Sequence, residues 1–206
     1  MNGAIETVLN EFHARAELEH ALMESLPGEE FNRRVDEFLL PVGPETGKFL
    51  NILIKSSGSK QILEIGTSHG YSTIWLAEAA RATGGHVWSL DLHAHKQDFA
   101  RGALKRCGLL GQVTFVLGDC QQTLKELPGP FDFVLLDIWK RMYIPALELA
   151  YPKLNPGALV IADNVTYPAS QQPVVKAYQG RVRELPGMDS VMVPIGNGIE
   201  LSRYSG

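Results

Sequence analysis

The sequence predicts an α/β fold: a seven-stranded, mostly parallel sheet with helices on both faces, a C-terminal antiparallel hairpin and an N-terminal helical cap. Three observations carry this expectation. From residue 58 onward, short apolar runs alternate strictly with helix-like stretches, which is the pattern of repeated βαβ units. Runs such as Phe133-Val134-Leu135-Leu136 and Ala158-Leu159-Val160-Ile161 are apolar on both faces, as buried parallel strands are. The tail breaks the alternation, because two strand-like pieces flank Gly196-Asn197-Gly198, a hairpin signal.

Residues 5–26 place Ile5, Val8, Leu9, Phe12, Ala16 and Leu22 at helical spacing in a stretch rich in Glu, Ala and Leu. Pro27-Gly28 ends that helix. A second helix is predicted over 29–40, a turn at Pro41-Val42-Gly43-Pro44, and a third helix over 44–55 with Pro44 in its first turn. After the Ser56-Ser57-Gly58-Ser59 loop, strands are predicted at 61–65, 86–90, 113–117, 131–136 and 158–162. Helices at 72–82, 96–107, 121–127 and 141–154 connect them. A helix at 174–183 precedes the strand-like pieces 190–194 and 199–203.

Composition narrows the classes of function. With 206 residues, 45% hydrophobic and 20% charged, the chain is long enough for one domain with an ordinary core. A net charge of −4 gives no general attraction to nucleic acid or to anionic lipid. Cys107 and Cys120 lack metal-type spacing and read as reduced thiols. The N-terminus lacks the basic-then-apolar order of a secretory signal, and no apolar run is long enough to span a bilayer. The expectation is a cytoplasmic protein with neither nucleic acid nor membrane as partner.

The chemistry gathers at strand ends, where open α/β sheets bind ligands. Leu63-Glu64-Ile65-Gly66-Thr67-Ser68-His69-Gly70-Tyr71-Ser72 reads as strand, glycine turn and helix start. Its G-x-x-x-G spacing differs from the G-x-G-x-x-G of a dinucleotide site and points toward S-adenosylmethionine (SAM). The predicted cofactor residues in this loop are Glu64, Gly66, Thr67, Ser68, Gly70 and Ser72. Asp91, with Leu92 after it, ends the second strand, where an acid can accept both hydroxyls of a ribose. Asp119, Cys120 and Gln121 follow the third strand. Asp137, Asp163 and Asn164 follow the fourth and fifth strands and are hard oxygen donors of the kind Mg²⁺ takes. Lys140, one turn past Asp137, is placed to act as a general base. His69 reads as a loop histidine, either solvated or touching a ligand, and His93 and His95 as a solvated loop.

Asp137-Ile138-Trp139-Lys140 followed by Tyr143, together with Asp163-Asn164-Val165, resembles the metal-dependent catechol O-methyltransferases, with the caffeoyl-CoA O-methyltransferases as more distant relatives. The likeness extends to Leu63-Glu64-Ile65-Gly66, Gly70-Tyr71-Ser72, Val42-Gly43 ahead of Gly47-Lys48, and Asn197-Gly198-Ile199-Glu200. The resemblance implies a Rossmann-like SAM methyltransferase fold, with 1–57 as a helical extension packed on a catalytic domain 58–206. It implies that Glu64, Gly66, Ser72 and the backbone of Val42 hold the methionine part of SAM and that Asp91 holds its ribose. Cys120, Gln121 and Trp139, with Asp119 close by, would surround the adenine. Asp137, Asp163 and Asn164 would ligate Mg²⁺, Lys140 would be the base, and Glu200 would meet a second substrate hydroxyl. Asp119, Ile138 and the segment Tyr167-Pro168-Ala169-Ser170-Gln171-Gln172-Pro173 depart from the family pattern. The implied reaction is O-methylation of a small, catechol-like acceptor. For the N-terminal helices two roles stay open, a cover over the acceptor site and the interface of a homodimer. The alternatives are a non-catechol hydroxyl acceptor and, further off, an NAD-binding oxidoreductase.

Overall fold

The structure, a computed structural model, describes residues 3–206. Residues 1 and 2, with which the expected extension begins, lie outside the described residues. The elements run α1 (Gly3–Ser25), α2 (Gly28–Arg34), α3 (Pro44–Ser57), β1 (Gln61–Ile65), α4 (Tyr71–Thr83), β2 (His86–Asp91), α5 (Ala94–Arg106) and β3 (Val113–Leu117). They continue with α6 (Cys120–Glu126), β4 (Phe131–Leu136), α7 (Tyr143–Ala150), β5 (Leu154–Ala162), α8 (Gln172–Glu184), β6 (Met188–Val193) and β7 (Ile199–Tyr204). One seven-stranded sheet has the order β3-β2-β1-β4-β5-β7-β6. β1 to β5 pair in parallel, and β7 runs antiparallel to both of its neighbours, β5 and β6. This is the expected fold class. The strand order reverses at β1 and β4, which opens a crevice at their carboxyl ends.

Strand alternation divides the core between two faces. Ile62, Val87, Phe133, Leu135 and Ile161 pack under α1, α3, α4 and α5. Leu63, Leu90, Val134, Leu136 and Val160 pack under α6, α7 and α8. Both sets of strand side chains are essentially inaccessible, so the continuous apolar runs are those of a sheet covered on both faces. From α1, Ile5, Val8, Leu9 and Phe12 join the first face. Ala16 packs against the same cluster, but Leu22 is exposed on the distal half of the helix.

Two predicted helices are shorter than expected. The helix predicted over 29–40 ends at Arg34, turns once as a 3₁₀ helix at Val35–Glu37, and then runs extended. Pro41 disfavours helical backbone at Leu40, which adopts φ 42°. The helix predicted over 141–154 is a 3₁₀ turn Lys140–Met142, then α7, then a second 3₁₀ turn Tyr151–Lys153. β5 then begins at Leu154, earlier than predicted, and absorbs Pro156 and Gly157 with a register shift between Phe131 and Phe133 on β4.

Adjacency of β4 and β5 positions the site. Leu136 is in register with Ala162, so Asp137 and Asp163 are the first residues beyond neighbouring strands. The Asp137 N–H donates to the Ile65 carbonyl at 3.0 Å, and the Asp163 N–H to the Leu136 carbonyl at 3.1 Å. The turn between β6 and β7 holds the segment after Asp163. Gly198 and Asn197 carbonyls accept from the N–H groups of Val165 and Thr166, each at 2.9 Å.

Candidate active site

A cleft of about 350 Å³ crosses the carboxyl ends of the strands. The glycine loop forms its floor. Gly66 has φ +108°, and a Cβ there would stand 2.0 Å from the Asp137 carbonyl oxygen, so β1 passes β4 too closely for any side chain. The Gly66 and Thr67 N–H groups both donate to the Leu90 carbonyl, at 2.9 and 3.0 Å. Gly70 caps the amino end of α4, and Ser68 is also left-handed, at φ 45°.

Glu64 lies beneath this loop, fully buried, and does not line the cleft. Its carboxylate accepts from Ser72 Oγ and Thr73 Oγ1, both at 2.6 Å, and from Ser89 Oγ at 2.5 Å. It therefore ties β1, β2 and the start of α4 together. Burial outweighs these bonds and pushes its carboxyl up to about 7. The native state then keeps a proton that the unfolded chain releases. Stability is fullest below pH 4.5, the group's ordinary value, and falls as pH rises toward 7, by roughly 3 kcal/mol in all. Glu64→Gln has no such titration and can keep all three hydroxyl contacts. Thermal melts of the variant are expected to be flatter than wild type between pH 4.5 and 7. An equal slope in both proteins would show that Glu64 does not carry this dependence.

Asp91 is half-buried and lines the cleft. Its Oδ2 accepts the Ser68 N–H at 2.7 Å and its Oδ1 accepts the His93 N–H at 2.8 Å. Three groups already fix the acid where a ribose would meet it, because His93 Nδ1 also lies 3.2 Å from Oδ1. Farther along the wall, Asp119 Oδ1 caps α6 by accepting the Gln121 N–H at 2.7 Å. Leu92, Cys120, Gln121 and Trp139 complete this end, with Trp139 51% exposed.

At the other end stand Asp137, Lys140 and Asn164. Asp163 lies behind them, 1% exposed, and neither of its carboxylate oxygens has a hydrogen-bond partner among the described residues. Burial raises the Asp163 carboxyl far above the usual carboxylate range, and the Asp137 charge adds to the rise. Burial raises Asp137 as well, against the pull of Lys140. Lys140 Nζ lies 5.6 Å over the Tyr143 ring, and burial lowers its ammonium while the two acids resist. Tyr143, fully buried, donates its hydroxyl to the Asp163 carbonyl at 2.6 Å. Asn164 takes the left-handed turn at φ 56° that faces this corner. Two carboxylates and an amide beside one lysine make a hard-donor set, and an unpartnered buried carboxylate is costly without a cation. Among the described residues, no group of three or more His, Cys, Asp or Glu side chains gathers anywhere that could hold a metal ion.

The structure thus brings Gly66, Ser68, Asp91, Leu92, Asp119 and Cys120 to one cleft, with Gln121, Asp137, Trp139, Lys140 and Asn164. It does not bring all predicted residues there. Val42 packs in the core, Thr67 is buried with its hydroxyl 2.6 Å from Ser89 Oγ, and Ser72 serves Glu64. Glu200 is turned away. It pairs in register with Ala162 and projects on the α8 side, accepting from Gln179 Nε2 at 2.7 Å, Arg183 Nη2 at 2.8 Å and Ser190 Oγ at 2.5 Å. His69 is not solvated but buried edge-on to Phe99, which lowers its imidazolium to about 4. The sequence reading missed the outer wall, which Val35, Asp36 and Leu40 contribute. Asp36 meets the buried Lys96 across the cleft at 3.6 Å, an ion pair no local pattern could announce.

No helix among the described residues is long and apolar enough to cross a membrane. The sequence profile of a family described as O-methyltransferase matches residues 13–205. A catechol O-methyltransferase from Niastella koreensis is 36% identical over 130 residues, covering 61% of this chain and 58% of that protein. A catechol O-methyltransferase from Mycobacterium tuberculosis is 36% identical over 127 residues, covering 61% and 57%. The matched stretch thus spans under three fifths of these relatives. A crystal structure of the O-methyltransferase from Bacillus cereus in complex with SAH is similar at TM-score 0.78 and 26% identity, over 99% of this chain and 91% of that one. A seven-stranded sheet with one strand reversed, the cleft at its switch point and the matched profile together make this chain a member of the O-methyltransferase family.

Proposed function

We propose that the protein is a SAM-dependent O-methyltransferase that uses a divalent cation, Mg²⁺, to methylate a hydroxyl of a small catechol-like acceptor. The observation that carries this reading is Asp163: a buried carboxylate with no hydrogen-bond partner among the described residues, beside Asp137, behind one end of a cleft whose other end suits a nucleoside. The SAH complex of the Bacillus cereus relative supports the cofactor, and the two catechol O-methyltransferase relatives support the acceptor.

In this reading Asp91 holds the ribose, and Cys120, Gln121 and Trp139 flank the adenine. Asp137, Asp163 and Asn164 hold the cation. When bound, Mg²⁺ stabilises an ionised hydroxyl, which matters because a phenol ionises near pH 10 and is mostly neutral at pH 7. Lys140 Nζ, whose ammonium is destabilised by burial, receives the acceptor's hydroxyl proton. The cleft wall holds the acceptor oxygen in line with the sulfonium methyl, and such positioning supplies roughly 7–11 kcal/mol in favourable cases.

Methyl transfer from labelled SAM to catechol tests the reading. Turnover is expected with added Mg²⁺ and is expected to vanish in EDTA, while calorimetric SAM binding persists. Undiminished turnover in EDTA would remove the metal from the reading, and transfer only to acceptors lacking vicinal hydroxyls would replace the catechol.

A further inference from the structure

The cleft holds three lysine and arginine side chains in its lining, and two of them are engaged. Lys96 meets Asp36, and Lys140 lies over Tyr143 beside the paired acids. Arg141 has no hydrogen bond or ion pair among the described residues, although it is exposed in the lining. Elsewhere in the molecule Arg15, Arg34, Arg106, Arg181 and Arg183 each meet a carboxylate, whereas Arg33, Arg81, Arg101 and Arg203, none of which lines the cleft, form no ion pair among the described residues. Nor do the cleft's own acids neutralise Arg141. Asp36 faces Lys96, Asp91 is bonded to Ser68 and His93, and Asp119 caps α6. Asp137 and Asp163 feel the charge of Lys140, and neither forms an ion pair with Arg141 among the described residues.

The position of Arg141 is built. It is the middle residue of the 3₁₀ turn Lys140–Met142, closed by the Met142 N–H donating to the Trp139 carbonyl at 2.7 Å. Three residues per turn set successive side chains about 120° apart, so Arg141 diverges from Lys140 and stays clear of the acids. Tyr143, locked by its bond to Asp163, anchors the end of the turn. Met142 adds apolar surface to the same lining. A ring whose reacting hydroxyl meets Lys140 would present a substituent to the neighbouring guanidinium. That planar fork matches a carboxylate through two parallel N–H···O bonds.

We propose that Arg141 is the specificity residue of the acceptor half, and that the preferred acceptor is a vicinal-dihydroxy aromatic bearing a carboxylate. This rests on the reading of the site as a catechol-type O-methylation site. The test compares kcat/KM for 3,4-dihydroxybenzoate and for catechol at saturating SAM and Mg²⁺. Wild type is expected to prefer the carboxylate tenfold or more. Arg141→Gln is expected to cut that preference by about tenfold to a hundredfold, chiefly through KM for the carboxylate, as loss of a charge-assisted pair does. Arg141→Glu is expected to invert it. The ratio is internally controlled, because a misfolded variant lowers both acceptors together. No preference in wild type, or a ratio unmoved in both variants, overturns the inference and leaves the proposed function standing. Methylation of neither acceptor defeats the proposed function itself, and the inference with it.

Discussion

Asp163→Asn is expected to lower kcat/KM for the acceptor by about a thousandfold or more and, at the same time, to raise the melting temperature of the metal-free protein. The two effects share one cause. Asp163 is 1% exposed, neither of its carboxylate oxygens is hydrogen-bonded among the described residues, and the Asp137 charge opposes its own. Without a cation such a group costs stability, because the folded protein must keep a proton that the unfolded chain releases, and an isosteric amide removes that cost without opening a cavity. The relief at pH 7 amounts to about 1–4 kcal/mol, and each kcal/mol moves a domain of this size by roughly 2–4 °C. The same charge is what would hold a cation against the acceptor oxygen. A thousandfold corresponds to about 4 kcal/mol of transition-state stabilisation, within what a Lewis-acid ion supplies. Labelled methyl transfer measures the first effect and calorimetry in EDTA the second. Adding Mg²⁺ should raise the melting temperature of wild type and leave the variant unmoved, since only a ligand that binds the native state stabilises it. Activity retained within tenfold would take Asp163 out of the metal set. A drop in melting temperature in EDTA would show instead that its charge is compensated.

Gly66→Ala is expected to be among the most destabilising single changes in the chain. The new Cβ would sit 2.0 Å from the Asp137 carbonyl oxygen, on a backbone with φ +108°. Neither side has room to yield. The Gly66 N–H is bonded to Leu90 at 2.9 Å, and the Asp137 N–H to Ile65 at 3.0 Å. β1 and β4 would have to part at the reversal of strand order. The combined overpacking and backbone strain is about 3–5 kcal/mol, which lowers the melting temperature by roughly 10 °C. SAM affinity should fall with it, because the same displacement moves the cleft floor, and titration calorimetry would register that separately. A variant that melts within 2 °C of wild type, a shift of about 1 kcal/mol at most, would mean the strands can separate at little cost.

The sheet was legible because each strand carries its own pattern. Phe133-Val134-Leu135-Leu136 is apolar on alternate sides and needs no knowledge of its neighbours to be read as doubly buried. The strand-end residues were legible for the same local reason, and Asp91, Asp119 and Asp137 do share one cleft. What escaped was set by pairing. The face on which Glu200 projects follows from its register with Ala162, and a shift of one residue would reverse it. The sequence fragment Asn197-Gly198-Ile199-Glu200 is silent about that parity. Pro156-Gly157 concealed the start of β5, since both residues punctuate strands more often than they lie within them. The Lys96–Asp36 pair joins α5 to the segment after α2, and neither stretch advertises the other.

The turn between β6 and β7 gives the molecule a temporal property. Its Asn197 and Gly198 carbonyls hold the backbone just after Asp163 and Asn164, and β7 inserts between β5 and β6. Ribosomes deliver a chain from its N-terminus, so the residues proposed to flank a nucleoside are made well before the residues that secure the far corner. No nascent chain that stops short of Gly198 can carry the finished site. Under the proposed function, methyl transfer therefore reports that synthesis has passed Gly198, and chains cut short before it are expected to be silent rather than promiscuous.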